Sequence, residues 1–501
     1  MARGAFDLVH EHLFKGDTRP LDFEVVSIKR LVSELEARID TLEAQIHERR
    51  PALDLKLMAE RDKLFFQARL YKAVIAPVRR LPPELVCEIF SRVPRKTRTL
   101  LDETIIPEPP WRLGHICRSW RQIALTYPSL WNSFTLIQAP YLSHYFPRAM
   151  IETQLIHAGH APLHINFDWR EEDTQSSFPW DLFLPLCHRW ASLRIQLPDI
   201  QSAEVFLKSL QVTKGNLPQL EKIEFLIDCD EPWPLQWDLF TTAPRLRDVL
   251  ITNLGFERYS PQFSIPWAQI TRYSGVFSAV QQFDILCSAT NLVECSISFD
   301  AFHSNLGDVV VELPLLRKLR VEVSGILAHI VAPALENLLV CDAGVEDSTA
   351  ADAVANFIRR SSCRLRMLVF TAHSPAEAVV SLLTLFASLE HLVVDGICEE
   401  DVASLCAVFT AMQSNSNVCP NLRSIALGWY DDQHDWGTAF FRMVQSRPRL
   451  HHVRLFCADL DGDLVPERLK EGIQNLEDDG FDVKFLNAQD GEDFLEQLWP
   501  Q

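Results

Sequence analysis

Long apolar runs are missing from this sequence: no stretch approaches the roughly twenty residues that cross a bilayer, so no membrane partner is expected. Met1 to Pro20 carries His10, Glu11, His12, Lys15 and Asp17 among few apolar residues, and no secretory leader is expected there. Positive charge is scarce too. With 48 Lys and Arg against 67 Asp and Glu, the net charge is −19, which argues against a nucleic-acid partner, because a polyanion requires a basic face. Cysteine pairs are absent: the 12 thiols are scattered with no CxxC, and Cys87, Cys295, Cys341 and Cys406 sit in apolar periodic stretches. That pattern suits reduced, buried thiols of the cytoplasm or nucleus. There is no Walker motif, GxSxG, HExxH, or GxGxxG followed by an acidic residue. No enzyme activity, cofactor or metal is therefore expected.

Weaker chemical signals point the same way. His157, His160 and His164 have an inviting spacing, but His164 alternates with Leu163, Ile165 and Phe167 as in a strand, and no thiol or acid completes a ligand set. Asp431, Asp432, His434 and Asp435 read as a solvated loop, without a nucleophile or phosphate cradle nearby. Trp233, Trp237, Phe240 and Trp267 read as core, whereas Trp429, Tyr430 and Trp436 on one loop are candidates for a partner hot spot. About half of the acidic surplus lies after Cys457 and reads as a solubilising surface, with a docking site for a basic partner as the alternative.

What is present is organised in stretches, and the length alone suggests about two to four domains. Residues 1–21 are expected to be disordered and 22–76 to be helical. Val25, Val32, Ile39 and Ile46 recur every seven residues with Ile28, Leu35 and Leu42 between them, a coiled-coil pattern of the kind that pairs two helices. A second helical stretch follows, with Leu57, Leu64 and Tyr71 seven apart. Two outcomes are open: an intramolecular hairpin, favoured because the second helix lies so close, or a homodimer through residues 25–46.

Residues 77–135 hold the most informative pattern. Pro82 and Pro83 stand where a missing N–H costs nothing, and Glu84 and Glu88 put negative charge near the helix start. Leu81, Leu85, Ile89, Phe90 and Val93 then recur at helical spacing, and Ile116, Trp120, Ile123 and Ala124 repeat that logic before Leu130 and Trp131. Two helices this short cannot bury so many large side chains against each other. Leu81-Pro82-Pro83-Glu84-Leu85, Ile89-Phe90, Ile116-Cys117-Arg118-Ser119-Trp120-Arg121 and Leu130-Trp131 together closely resemble the F-box, in the form found in large fungal families. The stretch from Pro94 to Pro109 departs from the family in being longer and more charged. The resemblance implies docking on a Skp-type adaptor, and through it on a cullin, by Leu81, Pro82, Leu85, Ile89, Phe90, Ile116, Cys117, Trp120 and Trp131. The bland alternative is a helical cap that seals the neighbouring domain.

From residue 136 to 487 the period shifts to short strands. A phrase with an apolar anchor and further apolar residues three and five positions later recurs at Leu220, Leu246, Leu316, Leu335, Leu365, Leu389, Leu422 and Leu450, with weaker copies at Ile270 and Leu292. The anchors are roughly 19 to 33 residues apart, the interval of leucine-rich repeats. Positions 1, 4 and 6 of the phrase should face a stacked core and positions 3 and 5 face outward. Helices such as Val354–Ile358 and Phe440–Val444 should cover the core's outer side. Irregular lengths and the missing asparagine place the array near the degenerate repeats that accompany F-boxes. Pro466 to Asp479 reads as a last helix, Gly480 as its C-cap and Phe481 to Phe485 as a last strand, with an acidic tail over 488–501.

The expected fold is thus α/β: a helical segment and an all-helical F-box followed by a leucine-rich-repeat solenoid. The expected function is that of a substrate adaptor in a Skp–cullin–F-box ubiquitin ligase, whose repeats hold an unknown target protein. The alternative is a cullin-independent repeat scaffold, dimeric through the N-terminal helix.

Overall fold

The computed structural model describes residues 20–48, 55–93, 111–138, 148–169, 179–197, 200–227, 236–253, 262–299, 309–341, 350–371, 375–397, 401–429, 436–457, 467–487, 491 and 494. Residues 1–19, the charged insertion 94–110, the acidic loop 431–435 and most of 488–501 lie outside this set. The chain divides into two compact units. One comprises Met1–Phe134 with Phe146–Pro162, the other Thr135–Tyr145 with Leu163–Gln501.

In the first unit, helix α1 (Asp22–Glu48) begins where the Glu24 carboxylate accepts the Leu21 N–H at 2.7 Å, satisfying a donor the helix itself leaves open. Helix α2 (Leu55–Val74) packs along it. Ile28 and Val32 bury against Tyr71 and Val74, and Ile39 against Leu64 and Ala68. Arg38 reaches Glu60 at 3.3 Å and Lys72 reaches Glu36 at 2.5 Å, tying the exposed rims. The heptad face that a homodimer would need is therefore spent inside the same chain, and the hairpin is the arrangement found. Helices α3 (Pro83–Ser91), α4 (Arg118–Thr126) and α5 (Arg148–Ala158) complete the unit. Gln154 on α5 donates to the carbonyls of Trp131 and Ser133, and His157 stacks tilted on Trp131 with ring centres 4.7 Å apart.

In the second unit, fourteen strands among the described residues form one sheet in chain order, from Ser133–Gln138 to Asp482–Leu486. From Leu163 onward the pairing is parallel. Parallel neighbours need a crossover between them. Most crossovers here contain a helix, among them Ala350–Ser361 and Gly437–Gln445, which bury Phe357 and Phe440 completely. Where the described residues hold no full helix, two-residue strands pair beside the sheet instead: Gln236–Trp237 with Gln262–Phe263, and Val311–Glu312 with Ile330–Val331. These side pairs carry no periodic signal, being too short for one.

The anchors Leu220, Leu246, Ile270, Leu292, Leu316, Leu335, Leu365, Leu389, Leu422 and Leu450 are all buried. One register column runs Phe167, Ile195, Phe225, Ile251, Gly275, Ile297, Val321, Val340, Phe370, Val394, Leu427, Leu455, Phe485. Gly275 interrupts it because a Cβ there would lie 2.2 Å from the Tyr273 hydroxyl. That hydroxyl donates to Gln282 Oε1 at 2.8 Å, and Gln282 Nε2 donates to the Gly275 carbonyl at 2.8 Å, all of it buried. Toward the end of the chain the helix Glu467–Asp478 is followed by Gly480, which takes φ +90 before the strand Asp482–Leu486, a conformation that favours glycine.

The other face of the sheet changes character along its length. In the first half it carries a column of alternating charge, Lys222, Asp248, Arg272, Glu294 and Lys318, with Lys318–Glu294 at 3.2 Å and Arg272–Asp248 at 3.5 Å. Burial pushes the Asp248 carboxyl up, against the pull of Lys222 and Arg272. In the second half one outward row turns apolar, Leu339, Val369, Val393 and Ala426 lying side by side in register, while the row beside it stays mostly polar at Asn337, His391, Ser424 and His452.

No two of the ten cysteines among the described residues are joined to one another in a disulfide. Cys295 is buried as expected, whereas Cys87, Cys341 and Cys406 are partly exposed. Burial raises Cys295 and Cys419 to about 12, so both stay as thiols at alkaline pH. With iodoacetamide at mildly alkaline pH, Cys287, which is exposed, should be alkylated while Cys295 and Cys419 remain unmodified until the chain is denatured. Peptide mass spectrometry reads this, and labelling of Cys295 in the native protein would contradict the packing of its strand.

Candidate docking surface

Helix α3 starts on its prolines. Pro82 is the N-cap, its carbonyl takes the N–H groups of Leu85 and Val86, and Pro83 occupies the first helical position. The helix is apolar on two sides. Val86 and Phe90 turn into the unit, Phe90 being 2% exposed, while Leu85 and Ile89, one turn apart, are 51% and 46% exposed. Leu81 and Val93 are half-buried and Pro82 is exposed.

The segment before α4 is built around Cys117. Its sulfur caps the helix by accepting the Trp120 N–H at 3.4 Å, and Arg121 Nε donates to the Gly114 carbonyl at 2.7 Å. Ile116, just before the cap, is 60% exposed, and Leu125 further along α4 is also exposed. Trp120 is half-buried, edge-to-face on Phe90 with ring centres 4.8 Å apart, and this contact ties α3 to α4. Trp131 is sealed at 2% exposure; its indole N–H donates to the Ala124 carbonyl at 2.7 Å and Trp111 meets it edge-on at 5.0 Å.

The nine residues singled out from the sequence therefore separate by role. Leu85, Ile89 and Ile116, beside the exposed Pro82, present apolar surface to solvent. Phe90 and Trp131 do not: the chain itself covers them, and they support the helices from behind. Cys117 and Trp120 are structural on one side and half-open on the other. Ala124, part of the apolar pattern, is buried, and so is Val86, which carried no signal because a short helix apolar on two faces gives no periodic cue to which face is core. Cys87, between the two faces, has its thiol pushed up by partial burial and by Glu84.

The chemical candidates find structural explanations. His164 is hydrogen-bonded to Ser192 at 2.8 Å, and His157 lies on Trp131. Among the described residues no group of three His, Cys, Asp or Glu is placed to hold a metal ion, and no helix is long and apolar enough to cross a membrane. Trp237 and Phe240 pack on Phe225, and Trp267 stands edge-on to Tyr273. The expected hot spot is corrected: Trp429 and Trp436 are both buried, edge-to-face at 4.9 Å, because Trp429 ends a strand on the same side as Leu427 and Trp436 precedes the helix covering that side. Tyr430 lies outside the described residues.

A family model described as F-box-like matches residues 78–137, the stretch that holds α3, α4 and Trp131. No curated protein matches the sequence. The chain thus carries an F-box-like domain with an apolar ridge of Leu85 and Ile89 on α3 and an exposed Ile116 before α4.

Proposed function

We propose that the chain is a substrate adaptor of a Skp–cullin–F-box type ubiquitin ligase. The observation that carries this reading is the exposure of Leu85 and Ile89, one turn apart on α3, and of Ile116 before α4, on an F-box-like domain that buries Val86, Phe90 and Trp131. Large apolar side chains that a domain does not need for itself mark a protein-binding surface. Pro82, Leu81, Cys117 and the open side of Trp120 extend it. A Skp-type adaptor fills that role, with a cullin recruited through it.

The sheet with its recurring buried anchors is read as a degenerate leucine-rich-repeat array that holds a target protein. No reacting group is asked of this chain: bringing the target close to a ubiquitin-charged enzyme raises its effective concentration, and catalysis belongs to the assembly. The cullin-independent scaffold gains no support from the N-terminal helices, whose pairing face is used within the hairpin. Purified chain and a Skp-type adaptor should co-elute as a one-to-one complex in size-exclusion chromatography with light scattering. Separate elution at micromolar concentration would sink the proposal.

A further inference from the structure

The heptads of α1 are taken up by α2, yet α2 keeps a second apolar stripe turned to solvent. Its inner face buries Leu64, Ala68, Tyr71 and Val74. On the opposite side Leu55 and Met58 are exposed, and the adjacent rings of Phe65 and Phe66 are 54% and 61% exposed. This stripe has a seven-residue period of its own. Met58 and Phe65 form one row, Ala59, Phe66 and Ala73 a second, and Leu55, Asp62 and Arg69 a third, all exposed. The outer side of α1 differs: after Phe23 and Val26 it continues with the exposed Arg30 and Ser33. Two neighbouring aromatic rings left in water, on a helix whose core is already packed, mark an interface.

The charges identify the partner. Asp62 stands three residues before Phe65, and Arg69 three after Phe66. Laid antiparallel on a second copy, with a twofold axis between the phenylalanines, α2 sets Asp62 against the partner's Arg69 and, by the same symmetry, Arg69 against the partner's Asp62. Phe65 then meets the partner's Phe66, and Met58 meets the small Ala73 of the partner subunit. Laid parallel, the same helix would set each charge against its own kind, so the pattern selects one orientation. Both groups are available for it. Arg61 donates to Asp62 Oδ1 at 3.0 and 2.6 Å and leaves Oδ2 open, while Arg69 is exposed and has no partner among the described residues. Because α2 is already folded against α1, association has little backbone left to order.

We propose that α2 is a dimerisation helix, packing antiparallel on α2 of a second copy through Met58, Phe65 and Phe66, with an Asp62–Arg69 ion pair on either side of the axis. The face is distinct from the heptads of α1, which serve the hairpin. The assignment does not rest on the F-box reading. Where both hold, the assembly carries two adaptor ridges and still binds one adaptor per chain.

Sedimentation equilibrium of the full-length chain at micromolar concentration should give twice the mass of one chain. Phe65→Asp together with Phe66→Asp should give a monomer with the circular dichroism and thermal midpoint of the parent, since neither ring belongs to the hairpin core. Asp62→Arg alone, or Arg69→Asp alone, turns two attractions into two repulsions and should weaken the dimer about tenfold. The two substitutions combined should restore it, a rescue that only the antiparallel register provides. A parent chain of single mass, a dimer that survives the aspartates, or unfolding of that variant would each overturn the proposal. So would single charge swaps that match the parent, or a combined swap no tighter than either alone.

Discussion

Capture of a Skp-type adaptor should fall by three orders of magnitude or more in the chain carrying Leu85→Asp together with Ile89→Asp. Burying each of these side chains at an interface is worth about 1.5–3 kcal/mol, and a carboxylate forced into the same apolar pocket adds a desolvation penalty of its own. A thousandfold loss requires only about 4 kcal/mol in total. Both residues are about half exposed in the free chain, so the substitutions remove little from its own core. The thermal midpoint should therefore stay close to that of the parent chain while titration calorimetry loses its signal. Adaptor affinity within tenfold of the parent would show that the partner does not sit on this ridge. Trp120 is a poorer choice for the experiment. It braces Phe90, so truncating it would confound lost binding with a loosened helix pair.

The second large effect concerns the sheet. Phe225 lies in the core column with no exposed surface, between Ile195 and Ile251, with Trp237 and Phe240 edge-on at 5.2 and 5.7 Å. Phe225→Ala should lower unfolding stability by about 3–5 kcal/mol, the usual cost of emptying an aromatic site in a packed interior. Stacked units exchange energy mainly with their neighbours, so amide exchange should rise first in the strands Trp190–Leu197 and Asp248–Asn253. A denaturant midpoint corresponding to less than about 1 kcal/mol of loss would mean that the three aromatic rings do not pack as described.

These cases show which parts of the molecule can be read from residues alone. The anchors from Leu220 to Leu450 could be, because a parallel strand buried under a helix must place apolar side chains at fixed intervals, and slipping by one would turn them all outward. The pairing of α1 with α2 was foreseeable from two heptad patterns lying next to one another in the chain. The ridge was legible in composition but not in direction: Leu85, Val86, Ile89 and Phe90 are all apolar, and only the packing of Phe90 on Trp120 tells the two faces apart. Trp429 and Trp436 misled for a related reason. Polar neighbours in the sequence suggested a loop, yet each tryptophan belongs to the element it borders and is buried there. The apolar outward strip was hidden because Val369 and Val393 look like ordinary strand residues until their register is known.

The phenol of Tyr273 distinguishes its rung from all the others. Elsewhere the column that contains it holds aliphatic or thiol groups such as Val249, Cys295 and Leu319, which tolerate exchange with their neighbours. Gln282, which holds that hydroxyl, also donates to the Ser298 carbonyl of the next strand at 3.2 Å, and a neighbour paired out of step would leave that buried contact unmade, a penalty of about 1–3 kcal/mol that correct alignment avoids. In a ladder of near-interchangeable steps, one polar pair thus serves as the index mark from which the rest are counted.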